Sequence, residues 1–188
     1  IMKLQVGVQL FSLMGELMED YLKTLENVAA AGYKYVEYVD PPAGKYTPEE
    51  IGDKLQSLGL TAIGSHVHFD PYTSTREDMV KIAEDAAKMH AEAVVLPMTV
   101  MTTMDEVKKV AEACNEMARV AKEHGMKFYY HNHCQEFYMV EGKTAYDWLV
   151  ELTDPELVGF EVDTFWAKRG GQDPCALIRK LGPRAGLI

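Results

Sequence analysis

Short apolar segments alternate with longer segments of helical periodicity along the 188-residue chain. The apolar segments are typical of buried strands, and the segments between them repeat apolar residues at the i, i+3, i+4 spacing of a helix face. The strand candidates begin about 30 residues apart, which is the length of one strand, one helix and their connections. They are residues 5–10, 35–39, 62–67, 93–97, 127–131 and 158–163.

Signals for helix starts and stops fall between these strands. Thr47 precedes Pro48 and Glu50, which together predict a capping box with proline at the first helical position. Thr103 and Glu106 repeat the capping box. Glycines able to end a helix in a left-handed conformation follow several helical segments: Gly32, Gly59, Gly125 and Gly182.

This alternation predicts a parallel sheet covered by helices, either doubly wound or closed into a barrel. Doubly wound nucleotide-binding folds usually carry a glycine-rich loop after the first strand, whereas FSLMG follows it here, at residues 11–15. Polar residues instead end several strands, as in a barrel whose strand ends jointly build one site. These strand-end residues are Gln9, Glu37, His66, His131 and Asp163.

The predicted barrel does not close within this sequence. Six β/α units are complete and residues 185–188 resemble the start of a seventh strand, whereas a (β/α)8 barrel has eight units in about 250 residues. We therefore predict an α/β fold of the (β/α)8 TIM-barrel type, truncated after about six and a half units. Residues 1–188 are expected to form one incomplete domain, and a fragment is favoured over a complete protein.

Composition narrows the expected partners and compartment. The net charge of −10 argues against nucleic acid or an anionic membrane surface as the main partner. Three widely spaced cysteines form neither a disulfide framework nor a paired metal motif, so a reducing compartment is expected. Neither an apolar run of about 18 residues nor a signal peptide is recognised, so a cytoplasmic location is expected. Homo-oligomerisation stays open.

The segment YYHNHCQEF, residues 129–137, combines two imidazoles and a carboxylate where the fifth strand should end. His131 and His133 are two residues apart, so on a strand their side chains point to the same face. Together with Glu136 they form a candidate metal or acid/base site. Surface histidines on a loop are the alternative.

Other strand ends carry further candidates. Asp163 ends an apolar strand, where a carboxylate needs a cation as partner or else caps the next helix. Glu161 lies two residues earlier on the same face, deeper in the barrel. Glu37, inside a buried strand, is expected to bind a substrate hydroxyl or to pair with a lysine. Further candidate substrate contacts are His66, Gln9 and Trp166, the last of which either stacks on a sugar ring or packs in the fold.

These motifs resemble the sugar phosphate isomerase/epimerase family, which has a xylose isomerase-like TIM barrel. The resemblance spans nearly the whole chain. The segments that carry it are 8–13 (VQLFSL), 32–37 (GYKYVE), 59–67 (GLTAIGSHV), 130–137 (YHNHCQEF) and 161–166 (EVDTFW). The His-Asn-His-x-x-Glu-Phe run belongs to one branch of this family.

The resemblance implies a divalent metal, commonly manganese, cobalt, zinc or magnesium, held at the ends of the fifth to eighth strands. Asp163 matches the sixth-strand ligand. His131 stands where relatives usually carry a glutamate that binds the metal and moves a proton, so a symmetric two-glutamate mechanism is in doubt. His131 and Asp163 are the expected metal ligands, and the remaining family ligands, a His and a Glu, would lie after Ile188.

The implied activity is isomerisation or epimerisation of a sugar, keto-sugar or cyclitol through deprotonation next to a carbonyl. The expected catalytic residues are His131, Glu136 and Glu37. The expected carbohydrate-binding residues are His66, His133, Gln9 and Trp166. Two alternatives stay open: a lyase of the inosose dehydratase type using the same site, and a non-catalytic carbohydrate-binding barrel. A DNA-repair endonuclease on this barrel is disfavoured by the negative charge.

Overall fold

The structure, a computed structural model, describes residues 5–39 and 44–188 of the chain. Seven strands form one parallel sheet in the order β1-β2-β3-β4-β5-β8-β9, and helices connect them. The strands of this sheet are β1 Gly7–Gln9, β2 Tyr35–Tyr38, β3 Thr61–His66, β4 Ala93–Pro97, β5 Lys127–His131, β8 Val158–Glu161 and β9 Ala185–Leu187. The sheet curls as in a β/α barrel, so the predicted fold class is confirmed.

Eight α-helices cover the sheet in the described part of the chain. They are α1 Met14–Glu19, α2 Tyr21–Ala30, α3 Pro48–Ser57, α4 Arg76–Lys88, α5 Met104–Glu123, α6 Ala145–Leu152, α7 Thr164–Arg169 and α8 Pro174–Leu181. The predicted capping boxes are present at the starts of α3 and α5, and Thr75 with Asp78 forms a third at α4. Local side-chain chemistry therefore sets where several of these helices begin.

A short hairpin interrupts the regular alternation of strands and helices. Its strands, β6 Met139–Val140 and β7 Lys143–Thr144, pair antiparallel between β5 and α6. Glu141 and Gly142 in its turn have φ of +46° and +89°, which is the backbone of a tight hairpin. Two-residue strands leave no hydrophobic period in the sequence, and the hairpin was not predicted. Short 3-10 segments are Leu10–Leu13, Gln135–Phe137 and Gly182–Arg184.

The predicted strand boundaries agree closely with the structure. Ala93–Pro97 and Lys127–His131 are reproduced to the residue. The sixth predicted strand ends two residues early, at Glu161, because Asp163 caps α7 by accepting a hydrogen bond from the Trp166 backbone N–H at 2.8 Å. The predicted helix-cap alternative for Asp163 is therefore realised.

Tyr129 fills the inner face of the sheet between β5, β8 and β9. Its ring is buried beside Ala93 and Val95, and it lies against Gly159 and Gly186. A Cβ atom at either glycine would overlap the tyrosine ring. These two glycines are thus the residues that let the ring cross the neighbouring strands.

All strands of the main sheet run in the same direction, so their carboxyl ends lie along one edge of the sheet. The polar strand-end residues singled out from the sequence are placed at that edge. None of the described helices has the length and apolar character needed to cross a membrane.

Candidate functional site

Five polar side chains from five different strands converge at the carboxyl edge of the sheet. They are Gln9 of β1, Glu37 of β2, His66 of β3, His131 of β5 and Glu161 of β8. Sequence reasoning selected four of them, and gave Glu161 no role. Parallel strands with matched ends bring them together, although they are far apart in the chain.

His66 occupies the centre of this group. Its Nε2 lies 2.9 Å from Glu37 Oε1 and 3.3 Å from Glu161 Oε2. Gln9 Nε2 donates a hydrogen bond to Glu37 Oε2 at 2.8 Å and lies 3.3 Å from His66 Nε2. The contact between His66 Nε2 and Glu37 Oε1 is close in distance but is not aligned as a hydrogen bond, so Glu37 Oε1 has no hydrogen-bond donor among the described residues. One imidazole nitrogen therefore lies next to two carboxylates.

His131 presents one ring nitrogen to Glu161, which it shares with His66, and the other ring nitrogen to Asp163. Its Nδ1 lies 3.1 Å from Glu161 Oε2, and its Nε2 lies 3.7 Å from Asp163 Oδ2. The Nδ1 contact also lacks hydrogen-bond alignment, which leaves this buried nitrogen without such a partner in the described part of the chain. The side chains thus alternate between carboxylate and imidazole from Glu37 through His66, Glu161 and His131 to Asp163.

Burial and close contacts shift the pKa values of the side chains in this group, upward for Glu37 and His66 and downward for Glu161. Burial raises the pKa of Glu37 above its ordinary value. Burial works against charging His66, but its contacts with Glu161 and Glu37 outweigh burial and raise its pKa to about 9. Burial also works against ionising Glu161, yet its contacts with His131 and His66 hold its pKa well below the ordinary range. Glu161 is therefore the anionic centre of the group, and Glu37 is the carboxyl that retains a proton more readily.

The donor set fits a divalent metal. His66, His131 and Glu161 each offer one ligand atom, and these atoms lie within 4.8 Å of one another. Imidazole nitrogen and carboxylate oxygen are ligands that zinc, cobalt and manganese accept. The orphaned Nδ1 of His131 faces the same carboxylate oxygen as His66, which is the arrangement expected of a ligand atom without a protein partner. Asp163, predicted as the second ligand, lies on the other side of the His131 ring.

A row of aromatic rings leads outward from the group. The ring centroids of His66 and His131 are 5.0 Å apart, and those of His131 and His133 are 5.1 Å apart. The next step, from His133 to Trp166, is 5.1 Å with the rings tilted by 34°. Phe165, beside Trp166, is 61% exposed. The predicted substrate contacts His133 and Trp166 therefore lie next to each other, and both are half-buried.

Glu136 is not brought into the group. Its side chain is fully buried, and its carboxylate accepts hydrogen bonds from Tyr130 Oη at 2.9 Å, the His133 backbone N–H at 3.0 Å and the Thr99 backbone N–H at 3.3 Å. Burial raises the pKa of Glu136. The carboxylate predicted as catalytic thus lies beneath the turn that follows β5, among hydrogen-bond donors of the protein itself.

Glu161 is the site residue that sequence reasoning left without a role. The signal for it was the spacing of two between Glu161 and Asp163, which gives both the same direction on a strand. His131 pairs in register with Glu161 across β5 and β8, and this placement could be derived only from the register of the two strands. The register of the sheet sets how deep each side chain lies. It therefore makes Glu161, and not Asp163, the neighbour of His131 Nδ1.

Comparison with known proteins gives a consistent set of relatives. A family model described as a xylose isomerase-like TIM barrel matches residues 25–188. The chain is 26% identical over 181 residues to an inosose dehydratase of Geobacillus kaustophilus, with 96% of this chain and 48% of that protein covered. It is 24% identical over 185 residues to an inosose dehydratase of Clostridium beijerinckii, with 86% of this chain and 60% of that protein covered. The chain spans roughly half the length of these curated relatives.

Solved structures show the same architecture. A crystal structure of a sugar phosphate isomerase/epimerase from Parabacteroides distasonis is similar at 26% identity and a TM-score of 0.81, covering 94% of this chain and 71% of that chain. A second structure of that name from the same organism is similar at 30% identity and a TM-score of 0.81, covering 94% and 74%. The described part of this chain thus has the same fold as these two sugar phosphate isomerase/epimerase structures.

Proposed function

The chain belongs to the xylose isomerase-like TIM barrel family, and on that premise we propose that it carries the active-site region of a divalent-metal-dependent isomerase or epimerase. The substrate class is a sugar, keto-sugar or cyclitol, and the reaction begins with removal of a proton from the carbon next to a carbonyl. The observation that carries the proposal is the convergence of His66, His131 and Glu161 at the carboxyl edge of the sheet.

His131 is the central ligand in this proposal. Glu161 and His66 complete the ligand set on its Nδ1 side, and Asp163 adds a carboxylate on its Nε2 side. When bound, a divalent metal supplies Lewis acidity that polarises a carbonyl and a neighbouring hydroxyl of the substrate. Manganese, cobalt, zinc and magnesium are all candidates, and the two imidazoles favour the first three over magnesium.

The remaining residues bind the substrate and move protons. Glu37 is a buried carboxyl whose pKa is raised by burial, which suits a group that takes up and returns a proton. His131 is the second candidate for proton transfer when it is not bound to the metal. Gln9 and His133 supply amide and imidazole groups for substrate hydroxyls, and the half-buried ring of Trp166 suits the apolar face of a sugar ring.

A lyase reaction is the second candidate, and the curated relatives named inosose dehydratase favour it. Elimination starts with the same proton removal, after which a hydroxyl leaves from the next carbon instead of a proton returning. A histidine at position 131, where the family resemblance implies a glutamate, fits a reaction that does not need two matched glutamates. A carbohydrate-binding barrel without catalysis is the third candidate.

One experiment separates the three. The purified chain is first assayed for bound metal by elemental analysis and is then incubated in deuterated water with a panel of ketoses and inososes. Isomerisation and epimerisation give deuterium at the carbon next to the carbonyl by NMR, elimination gives an unsaturated or diketone product, and a binding protein gives line broadening without exchange.

Variants link that result to the site. Glu37→Gln and His131→Ala should each lower deuterium exchange by about 100-fold or more, since acid–base groups contribute roughly 10²–10⁴ to the rate. His124→Gln, at the residue that follows α5, where His124 Nδ1 contacts the Val120 carbonyl, is the matched control. Absence of both metal and exchange with every substrate would contradict the proposed function.

A further inference from the structure

We infer that two fully buried polar side chains, Asn132 and Glu136, are positioning residues that hold the turn carrying His131 and His133. The inference concerns the metal-free chain and goes beyond the proposed reaction. Both side chains are 0% exposed, and the two residues are four positions apart in the turn after β5. Neither points into the group formed by Gln9, Glu37, His66, His131 and Glu161. Each instead joins the turn to a neighbouring strand end.

Asn132 joins the turn to the end of β8. Its Nδ2 donates to the Asp163 carbonyl at 3.2 Å, and its Oδ1 accepts from the Asp163 backbone N–H at 3.2 Å. The backbones of β5 and β8 are paired up to His131 and Glu161. The asparagine amide therefore continues the β5–β8 pairing by one step beyond the last backbone pair, and it fixes Asp163 relative to His131.

Glu136 joins the same turn to the loop after β4. One carboxylate oxygen accepts from the His133 backbone N–H, and the other accepts from Tyr130 Oη and from the Thr99 backbone N–H. Thr99 N–H also donates to Tyr130 Oη at 2.8 Å. On the way to Thr99, Met98 adopts a φ of +37° and donates its backbone N–H to the His131 carbonyl at 3.0 Å. The two loops are therefore bonded together at several points.

The residue after Glu136 adds an anchor on a third side. The Phe137 ring lies against Gly170 at the end of α7, so closely that a Cβ at that position would overlap it. The same ring packs on Tyr146 of α6 with centroids 5.1 Å apart. The whole His-Asn-His-x-x-Glu-Phe run is thus accounted for. Its histidines face the site, and its Asn, Glu and Phe fix the turn to β8, to the loop after β4 and to α6 and α7.

The chemistry of the Glu136 pocket requires a carboxylate. Every contact it makes is with a donor, so both oxygens must accept. In Glu136→Gln, an amide NH2 group replaces one of the two carboxylate oxygens and faces groups that are themselves donors. At least one buried donor then loses its acceptor. The turn then has to move to satisfy that donor, and the rings of His131 and His133, whose centroids are 5.1 Å apart, move with it.

The test measures ring positions in the metal-free chain by NMR of ¹⁵N-histidine-labelled protein. Glu136→Gln and Asn132→Asp should shift the ring signals of His131 and His133, while those of His90 and His124, which lie at the ends of α4 and α5, stay in place. Tyr130→Phe, which removes one donor and leaves the His133 contact, should give a smaller shift of the same signals. Glu112→Gln, on the exposed face of α5, makes the same charge change and should shift none of them.

Folded variants whose His131 and His133 signals match the parent would overturn the inference. If Glu136→Gln does not fold, Tyr130→Phe decides the question by the same criterion. Zinc titration provides the readout for the site. Displaced ligands should weaken zinc binding by about 10–100-fold in Glu136→Gln, as is typical when partners behind a ligand are lost. A parent chain that binds none of the candidate metals and exchanges no substrate proton contradicts the proposed function but leaves the NMR criterion in force.

Discussion

His66 Nε2 lies 3.3 Å from Glu161 Oε2, although the two residues are 95 positions apart in the sequence. The contact joins β3 to β8 across the carboxyl edge of the sheet, with His131 of β5 on the other side of the same carboxylate oxygen. A single carboxylate oxygen thus lies between two imidazoles contributed by two other strands. This relationship defines the centre of the site more sharply than any motif in the sequence.

The first prediction concerns His66. His66→Ala removes one of three converging ligand atoms and should weaken zinc or cobalt binding by more than about 100-fold, because loss of a partner behind a ligand already costs roughly 10–100-fold. Isothermal titration checks the affinity. His68→Ala, an exposed histidine two residues further along the chain, is the control and should bind the metal like the parent. Equal affinity in His66→Ala and the parent would exclude His66 as a ligand.

The second prediction distinguishes the two carboxylates beside His131. Glu161→Gln should weaken metal binding more than Asp163→Asn, because Glu161 contacts both His66 and His131, whereas Asp163 contacts only the second of these two histidines. Asparagine is as good a helix cap as aspartate, so Asp163→Asn preserves the cap of α7 and isolates the ligand effect. Titration of both variants with cobalt gives the ranking. The reverse ranking would place the metal on the Asp163 side of the ring, as the family resemblance implies.

The sequence predicted the fold and part of the site, each for a definite reason. Strands such as Ala93–Pro97 are marked by apolar runs between helix caps, and those caps are local signals. His131 and Asp163 stood out because polar groups at the ends of apolar strands need partners. Both lie at the carboxyl edge of the sheet, and their roles there stay predictions.

The parts that escaped prediction depend on tertiary register. Glu161 and Asp163 are two residues apart, so the sequence predicts the same side-chain direction for both. Only the pairing of His131 with Glu161 shows that Glu161 lies at the centre of the site. Glu136 had the residue type of an acid–base group, and its burial beneath the turn depends on donors from Tyr130 and from Thr99, which comes from another loop. A one-dimensional pattern does not contain those contacts.

The third prediction concerns acid stability at the contact between α4 and α5. Arg76 contacts the carboxylates of Glu116 and Glu123, and its hydrogen bond, together with that of Arg119, lowers the pKa of Glu116 below its ordinary value of 4.5. An acid with a lowered pKa adds stability above its unfolded pKa and loses it as the pH falls through the folded value. The parent should therefore lose this stabilisation as the pH falls below 4.5, which is the ordinary pKa of a glutamate such as Glu116 in the unfolded chain.

The variant Arg76→Gln tests that assignment. It should be less stable than the parent at pH 7, and the difference should shrink as the pH falls below 4.5, the ordinary value for Glu116. Urea unfolding followed by circular dichroism from pH 7 to pH 3 gives the two curves. Lys109→Gln is the control, since it removes one positive charge from the exposed face of α5. Its effect on the free energy of unfolding should not depend on the contact between Arg76 and Glu116. A constant offset between Arg76→Gln and the parent at every pH would contradict the assignment.

The fourth prediction concerns the packing of Tyr129 inside the curled sheet. Gly159→Ala places a methyl group in the space of the Tyr129 ring, and β8 is held between β5 and β9, so its backbone has little freedom to move away. Overpacking of this kind should lower the free energy of unfolding by about 1–3 kcal/mol, measured by urea denaturation. Gly15→Ala is the matched control, since α1 leaves open space around that position and alanine is the better helix former. In the Tyr129→Val background, where the colliding ring is gone, Gly159→Ala should lower the free energy of unfolding by less than it does in the parent. Additive losses in that double-mutant cycle would show that the glycine is needed for its backbone and not for the space it leaves to the ring.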